Sequence, residues 1–497
     1  MPTRKNERFA YGSILEALSR GLYPDKRHVL REFVQNAYDS IFELRKRDAK
    51  AEILPIHVKI QPPSIFIADH GSGMRRSEVQ QYRYLGYSLK QRGKHAGFRG
   101  IGKYSGVAIA EKIIVDTSPV GIPKQYRIII HADRMMAESE QGKNAPLEEI
   151  LQKHTEFSQA EAPAGDHYTF VELHKLSAES AALLDEMDIK AYLARTAPVP
   201  FDPDFKHGKQ IAEKLKENVP DFLAVDLLVN KDHIYRPFFS HCQNPEFDSV
   251  LFNDSEEGVL AYAWYCQNAD KGQLEPKDLA GLVFRARNIA VGDGQLSRRM
   301  LWTTTPERAF YFFGEIHVLD PAVVPSADRT DFEDNHARKQ LAERCVRIKS
   351  NLNRKAGEES AIRRFDEVLD KSVEVISKRE RDVRTRQVPV ELKEQVVYEV
   401  RQIEDNVRKR LGGPKTSKTA NRAKRLMGRT RRLLQSMRKQ PEVFFDLSAE
   451  LKFDTRLQTL YDAVIQVLKE EFSDEPDRLE AAINRIHKYA RQKLRRS

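Results

Sequence analysis

The segment Leu30-Arg31-Glu32-Phe33-Val34-Gln35-Asn36-Ala37-Tyr38-Asp39 constrains this chain more than any other. Leu30, Phe33, Val34, Ala37, Ile41 and Leu44 recur at three- and four-residue steps, the apolar stripe of a helix with one buried face. Glu32, Asn36 and Asp39 fall at i, i+4 and i+7, so they share a second face. A carboxylate, an amide and another carboxylate on one edge can position a water molecule and hold a Mg2+ ion. The plain alternative is a solvated polar face, and the sequence that follows decides between them.

Ile65 to Met74 is an apolar run ending in Asp69-His70-Gly71-Ser72-Gly73-Met74, a strand entering a tight glycine turn. Gly97-Phe98-Arg99-Gly100-Ile101-Gly102-Lys103-Tyr104-Ser105 then opens an apolar segment able to continue as a helix. Glycines at such a junction leave backbone N–H groups free to approach phosphate oxygens, and the helix N-terminus adds a favourable dipole. One glycine turn is weak evidence. The order Glu-x-x-x-Asn-x-x-Asp, Asp-x-Gly-x-Gly, Gly-x-x-Gly-x-Gly is far more specific.

With these three boxes the chain resembles the ATP-binding superfamily of gyrase, heat-shock-ninety chaperones, histidine kinases and MutL (GHKL). It is most similar to the heat-shock-ninety chaperones and MORC-like ATPases. The resemblance implies a Bergerat-type ATP-binding α/β sandwich over 1–203 and a transducer-like α/β domain over 204–335; scarce glycine and helical periodicity add an all-α region over 336–497, for an α+β chain. It also implies roles. Glu32 would be the general base and Asn36 the Mg2+ ligand. Asp69 would accept a hydrogen bond from the adenine amino group, with Gly73 letting the base approach. Gly100 and Gly102 would cradle the phosphates, helped by Lys103. Asp39, Gly71, Met74, Lys90, Gly97, Ile101 and Thr169 would complete the ATP pocket. Thr169 can equally be an ordinary β-branched strand residue.

The remaining segments read more coarsely. Residues 8–48 suggest two helices broken near Gly21, Tyr23 and Pro24, and Gln80 to Lys94 suggests a mobile lid with glycine hinges. Strands are expected at 56–60, 64–68, 112–117, 125–130 and 168–173, with a charged insertion at 134–166 holding a helix over 147–154. A second α/β unit has strand candidates at 222–229, 258–265, 280–286 and 314–319. Its Val324 to Phe332 loop resembles the chaperones' middle-domain loop, which makes Arg329 the matching γ-phosphate arginine. A loop arginine paired with Asp328 or Asp331 is the other reading. No lysine counterpart of the gyrase and MutL kind is evident.

The last third is helical and charged. From Arg401 to Gln440, fourteen Lys and Arg face two acids, a local +12 where the whole chain is only +10. Such a block favours a polyanion, nucleic acid before an anionic membrane, or else an acidic partner chain. No aromatic residue interrupts it, which suggests phosphate-backbone contact without base stacking. Cys242, Cys266 and Cys345 show no pairing or metal-like spacing, which suggests a reducing compartment. No apolar run is long enough to span a membrane, and Met1 to Asn6 has no signal-peptide pattern, so a cytoplasmic location is expected. The functional expectation is a slow, Mg2+-dependent ATPase acting as a homodimeric, nucleotide-gated clamp on nucleic acid. The alternatives are a chaperone-like binder of protein clients and an ATP-gated binding module without significant hydrolysis.

Overall fold

The computed structural model describes residues 25–86, 88, 90, 95, 97, 100–141, 146–238, 242, 245–251, 258–268, 272–275, 277–385, 390–439 and 454–494. The expected first helix before Pro24 and residues 87, 89 and 91–94 of the expected lid lie outside them. The chain divides into two compact units, residues 1–353 and 354–497. The fold is mixed: both sheets lie in the first unit, and the second is helical.

The first unit opens with helix α1, Arg27–Arg47, which buries Leu30, Phe33, Val34, Ala37, Ile41 and Leu44. These are the residues of its apolar stripe. They join one core with β1 (Ile56–Gln61), β2 (Ser64–Asp69), β3 (Ala110–Ser118), β4 (Lys124–His131) and β6 (Tyr168–Leu176). Strand alternation is plain in β1, where Ile56 and Val58 are buried and His57 and Lys59 exposed. With β5 (Thr155–Glu161), β7 (Leu227–Val229) and β8 (Asp232–His233) they form an eight-stranded sheet ordered β5-β4-β3-β6-β2-β1-β7-β8. The β1–β7 pair is parallel and the rest are antiparallel. The charged insertion supplies helix α2 (Ala132–Gln141), helix α3 (Leu147–Lys153) and the edge strand β5. Of these, only α3 is expected from sequence.

The stretch 222–229, expected in the second α/β unit, instead lends β7 to the first sheet, where Leu227 pairs with Ile56. The second sheet has five strands: β9 (Glu246–Leu251), β10 (Val259–Gln267), β11 (Gly281–Ala286), β12 (Ile289–Val291) and β13 (Phe312–Val318), ordered β12-β11-β13-β10-β9. At its centre Glu315 is buried against the Arg236 and Arg285 guanidiniums and the Trp264 indole N–H. Burial alone would raise that carboxyl, but the two arginines hold it well below the ordinary carboxylate range.

The cysteine expectation fails. Cys242 forms an isolated bridge pair with Asn268, which brings it beside β10 and into a disulfide with Cys266, Cα atoms 5.6 Å apart. Tertiary pairing, invisible in the spacing, closes the gap, and the cysteine argument for a reducing compartment goes with it. Cys345 is a buried thiol, pushed up to about 12 by burial.

The second unit contains most of helix α4 (Val346–Thr385), then α5 (Val390–Leu411) and α6 (Ser417–Lys439). Phe365, Leu369, Ile376, Val400, Val407 and Leu426 are among their shared core. A helical hairpin follows, α7 (Thr455–Glu471) and α8 (Pro476–Leu494), in which Tyr461 Oη lies 2.9 Å from His487 Nε2. No described helix is long and apolar enough to cross a membrane.

Candidate active site

The motifs converge on one cavity of about 350 Å³ between α1, the end of β2 and the 3-10 segment Gly102–Ala108. Glu32, Asn36, Asp39, Asp69, Gly73, Met74, Lys90, Gly97, Gly100, Ile101, Gly102, Lys103, Thr169 and Arg329 all line it. Gly71 does not. Its backbone N–H caps Asp69 at 2.9 Å, and a Cβ there would sit 2.3 Å from Ser40 Oγ, so its smallness lets the turn cross α1.

The other glycines are explained by what stands behind them. Gly73 has φ +60, and a Cβ would lie 1.9 Å from the Ser118 carbonyl oxygen. A Cβ on Gly102 would fall 2.7 Å from Glu32 Oε2, so glycine keeps the front of that carboxylate open. Behind the turn, Thr117 Oγ1 accepts from the Met74 N–H at 2.9 Å, donates to the Tyr168 carbonyl, and lies 3.2 Å from Thr169 Oγ1. Thr169 pairs across strands with both Asp69 and Thr117, which fixes it on the cavity wall.

Burial sets the electrostatics. Asp69 is pushed up to about 7 by burial, against the Gly71 N–H, the Ser40 hydroxyl and the charge of Lys90. Glu32 is likewise raised by burial, opposed by Arg31, Arg329 and Lys90. Lys103 is lowered to about 8 by burial, and its ammonium donates to the Gln81 carbonyl at 2.6 Å. Lys90 Nζ donates to Asn36 Oδ1 at 3.0 Å and to Asp39 Oδ2 at 2.7 Å, and the Gly97 N–H reaches the same Asp39 oxygen at 3.1 Å. A cation therefore already bridges the amide and carboxylate predicted to serve the nucleotide and its metal. No cluster of three metal-ligating side chains occurs among the described residues. An amide oxygen beside a carboxylate suits a Mg2+ that takes its other oxygens from water and phosphate.

Arg329 occupies the left-handed region at φ 54 and donates to the Ala286 carbonyl at 3.2 Å. The aspartates offered as its alternative partners are engaged elsewhere. Asp328 caps Ser326 and Thr330, and Asp331 binds Arg338. Sequence reasoning missed Arg31, which is 2 % exposed, lies 4.0 Å from Glu32 and donates to the Asp328 carbonyl at 2.7 Å. It straps the 326–332 loop to α1 beside the carboxylate. Also missed were Ser40, Glu43 and Tyr82 on the cavity wall. Glu43 was findable, lying one turn beyond Asp39 on the same face.

Residues 26–162 match the family model described as histidine kinase-, DNA gyrase B-, and HSP90-like ATPase. This segment is a GHKL ATP-binding domain. The chain is 23% identical over 276 residues to the chaperone protein HtpG of Alkalilimnicola ehrlichii, covering 50% of this chain and 41% of that protein. It is 28% identical over 125 residues to the mitochondrial heat shock protein 75 kDa of Rattus norvegicus, covering 21% and 18%. The chain thus spans less than half the length of these relatives. Beyond the GHKL domain, Ala327 and Arg329 from the loop after β13 complete the wall of the cavity.

Proposed function

We propose that the chain hydrolyses ATP slowly with Mg2+ and uses the cycle to open and close a homodimeric clamp. The observation that carries this reading is the convergence of a buried carboxylate, Glu32, and a buried guanidinium, Arg329, on the cavity framed by the glycine turns. Glu32 takes the proton of the attacking water, and its raised affinity for protons suits a base working near neutral pH. Arg329 stabilises charge developing on the transferred phosphoryl group. Asn36, with Asp39 beside it, would hold Mg2+, which neutralises phosphate charge when bound. Asp69 orients the adenine, Thr169 and Met74 shape its slot, and Gly100, Ile101 and Gly102 present backbone N–H groups.

Segment 1–203 together with β7 and β8, the rest of 204–335, and 336–497 then serve as nucleotide domain, transducer and helical region. The clamp's client is nucleic acid, held through the basic 401–440 segment. The likeness to HtpG supports a cytoplasmic setting and keeps a chaperone-like role as the second reading. Replacing Glu32 with Ala is expected to leave Mg2+-ATP binding by calorimetry within about twofold while turnover falls by about 10²–10⁴. Unchanged turnover would remove Glu32 from the chemistry.

A further inference from the structure

Helix α6, Ser417–Lys439, carries nine Lys and Arg and no acidic residue. Its buried residues, Thr419, Ala423, Leu426, Thr430, Leu433 and Met437, step by four and three, so one seam faces the bundle. Two of the cations flank that seam and are spent inside the unit: Arg422 on Asp366 and Asp370, Arg429 on Glu380. Arg431 grazes Glu404 at 3.4 Å. The other six, Lys418, Lys424, Arg425, Arg432, Arg438 and Lys439, are exposed and make no ion pair with another described residue. Asn421, Gln435 and Ser436 stand between them on the same exposed surface, with no large apolar side chain.

We propose that the outward face of α6 is a binding surface for the phosphate backbone of duplex nucleic acid, read without regard to base sequence. This rests on the nucleic-acid reading of the clamp and assigns it to one helix face. At about 1.5 Å per residue the helix is about 33 Å long, close to the ~34 Å of one duplex turn. Lys and Arg supply point charges and forked donors for phosphate. Base stacking needs aromatic rings, which this face lacks, and its six cations outnumber its three uncharged polar side chains, a composition suited to phosphate more than to base edges. A membrane-binding helix needs apolar side chains beside its cations, which are also lacking. The +12 of the 401–440 segment therefore separates into cations that build the bundle and cations that face outward.

The test uses the full chain with all six outward residues changed to Gln, read by fluorescence anisotropy on a 20-base-pair duplex across a salt series. The wild type is expected to bind random duplexes alike, with log K falling steeply against log salt. The six-site variant is expected to lose at least about a hundredfold in affinity, its slope shrinking by about five. Its ATP turnover without DNA, and its circular dichroism, should not move. Arg422→Gln with Arg429→Gln should lower the melting temperature and leave the slope intact. If the wild type binds duplex and the six-site variant binds equally, the face is wrong and the nucleic-acid reading stands. If the wild type binds no duplex, or prefers anionic vesicles, both fail while the ATPase reading stands on its own measurements.

Discussion

Glu32 sits among three cations and still has a raised proton affinity, because loss of water outweighs their attraction. The sign of the pH effect follows. A base is active when deprotonated, so turnover should fall on acidification at a pH above the ordinary glutamate value of about 4.3. Arg329 lowers that value by its charge, so Arg329→Gln should move the acidic limb upward as well as lowering the plateau by about 10³. A stopped assay at constant ionic strength from pH 4 to 8 reads both. A limb that stays put would place the guanidinium away from Glu32. At this scale the sequence was highly legible, because α1 repeats every 3.6 residues and each glycine needed for contact is written as glycine. Arg31 was not legible: its partner, the Asp328 carbonyl, is 297 residues away, and nothing about an arginine inside a helix announces a distant backbone acceptor.

Strands with one buried face were legible for a related reason, since alternation writes their register into the chain. β1 to β4 and β6 fall where the pattern places them, extended by one to three residues at their ends. β7 was misassigned because three residues carry no partner information, and a parallel neighbour is chosen by tertiary packing. The disulfide was hidden for the same cause. The element that ties the sheets together was equally silent. Arg285 donates to the Ala197 and Arg195 carbonyls, Arg236 to the Val199 carbonyl, and both meet Glu315. Removing the charge of Glu315 strands two buried guanidiniums. Glu315→Gln should therefore cost about 3–5 kcal/mol in urea unfolding, against under about 1 kcal/mol for the exposed Glu307→Gln. Equal midpoints would mean the cluster is solvated in solution.

The proposed homodimeric clamp needs a surface on which two copies meet, and the helical hairpin offers one. Helix α7 has no fully buried residue, yet it is rich in apolar side chains. Tyr461, Ile465 and Leu468 are half-buried, on the side that meets α8. Leu457, Leu460, Val464 and Val467 stay 40 %, 65 %, 39 % and 57 % exposed, spaced three, four and three, the seam of a coiled coil with no partner helix among the described residues. Two helices alone seldom bury enough surface, whereas two such hairpins close into a four-helix bundle. An antiparallel twofold pairing sets Leu457 against Val467 and Leu460 against Val464 of the other copy, and it brings Arg456 toward Glu470 across the axis. A parallel pairing would set each of these charges against its like. Leu460→Asp with Val464→Asp would bury two carboxylates in that seam, and light scattering at micromolar concentration is expected to show a dimer for the wild type and a monomer for this variant. ATP binding should persist in the monomer, because Glu32, Asn36, Asp69 and Arg329 of a single copy already frame the cavity. A wild type that is monomeric with and without nucleotide would end the dimeric clamp and leave a single-chain ATPase.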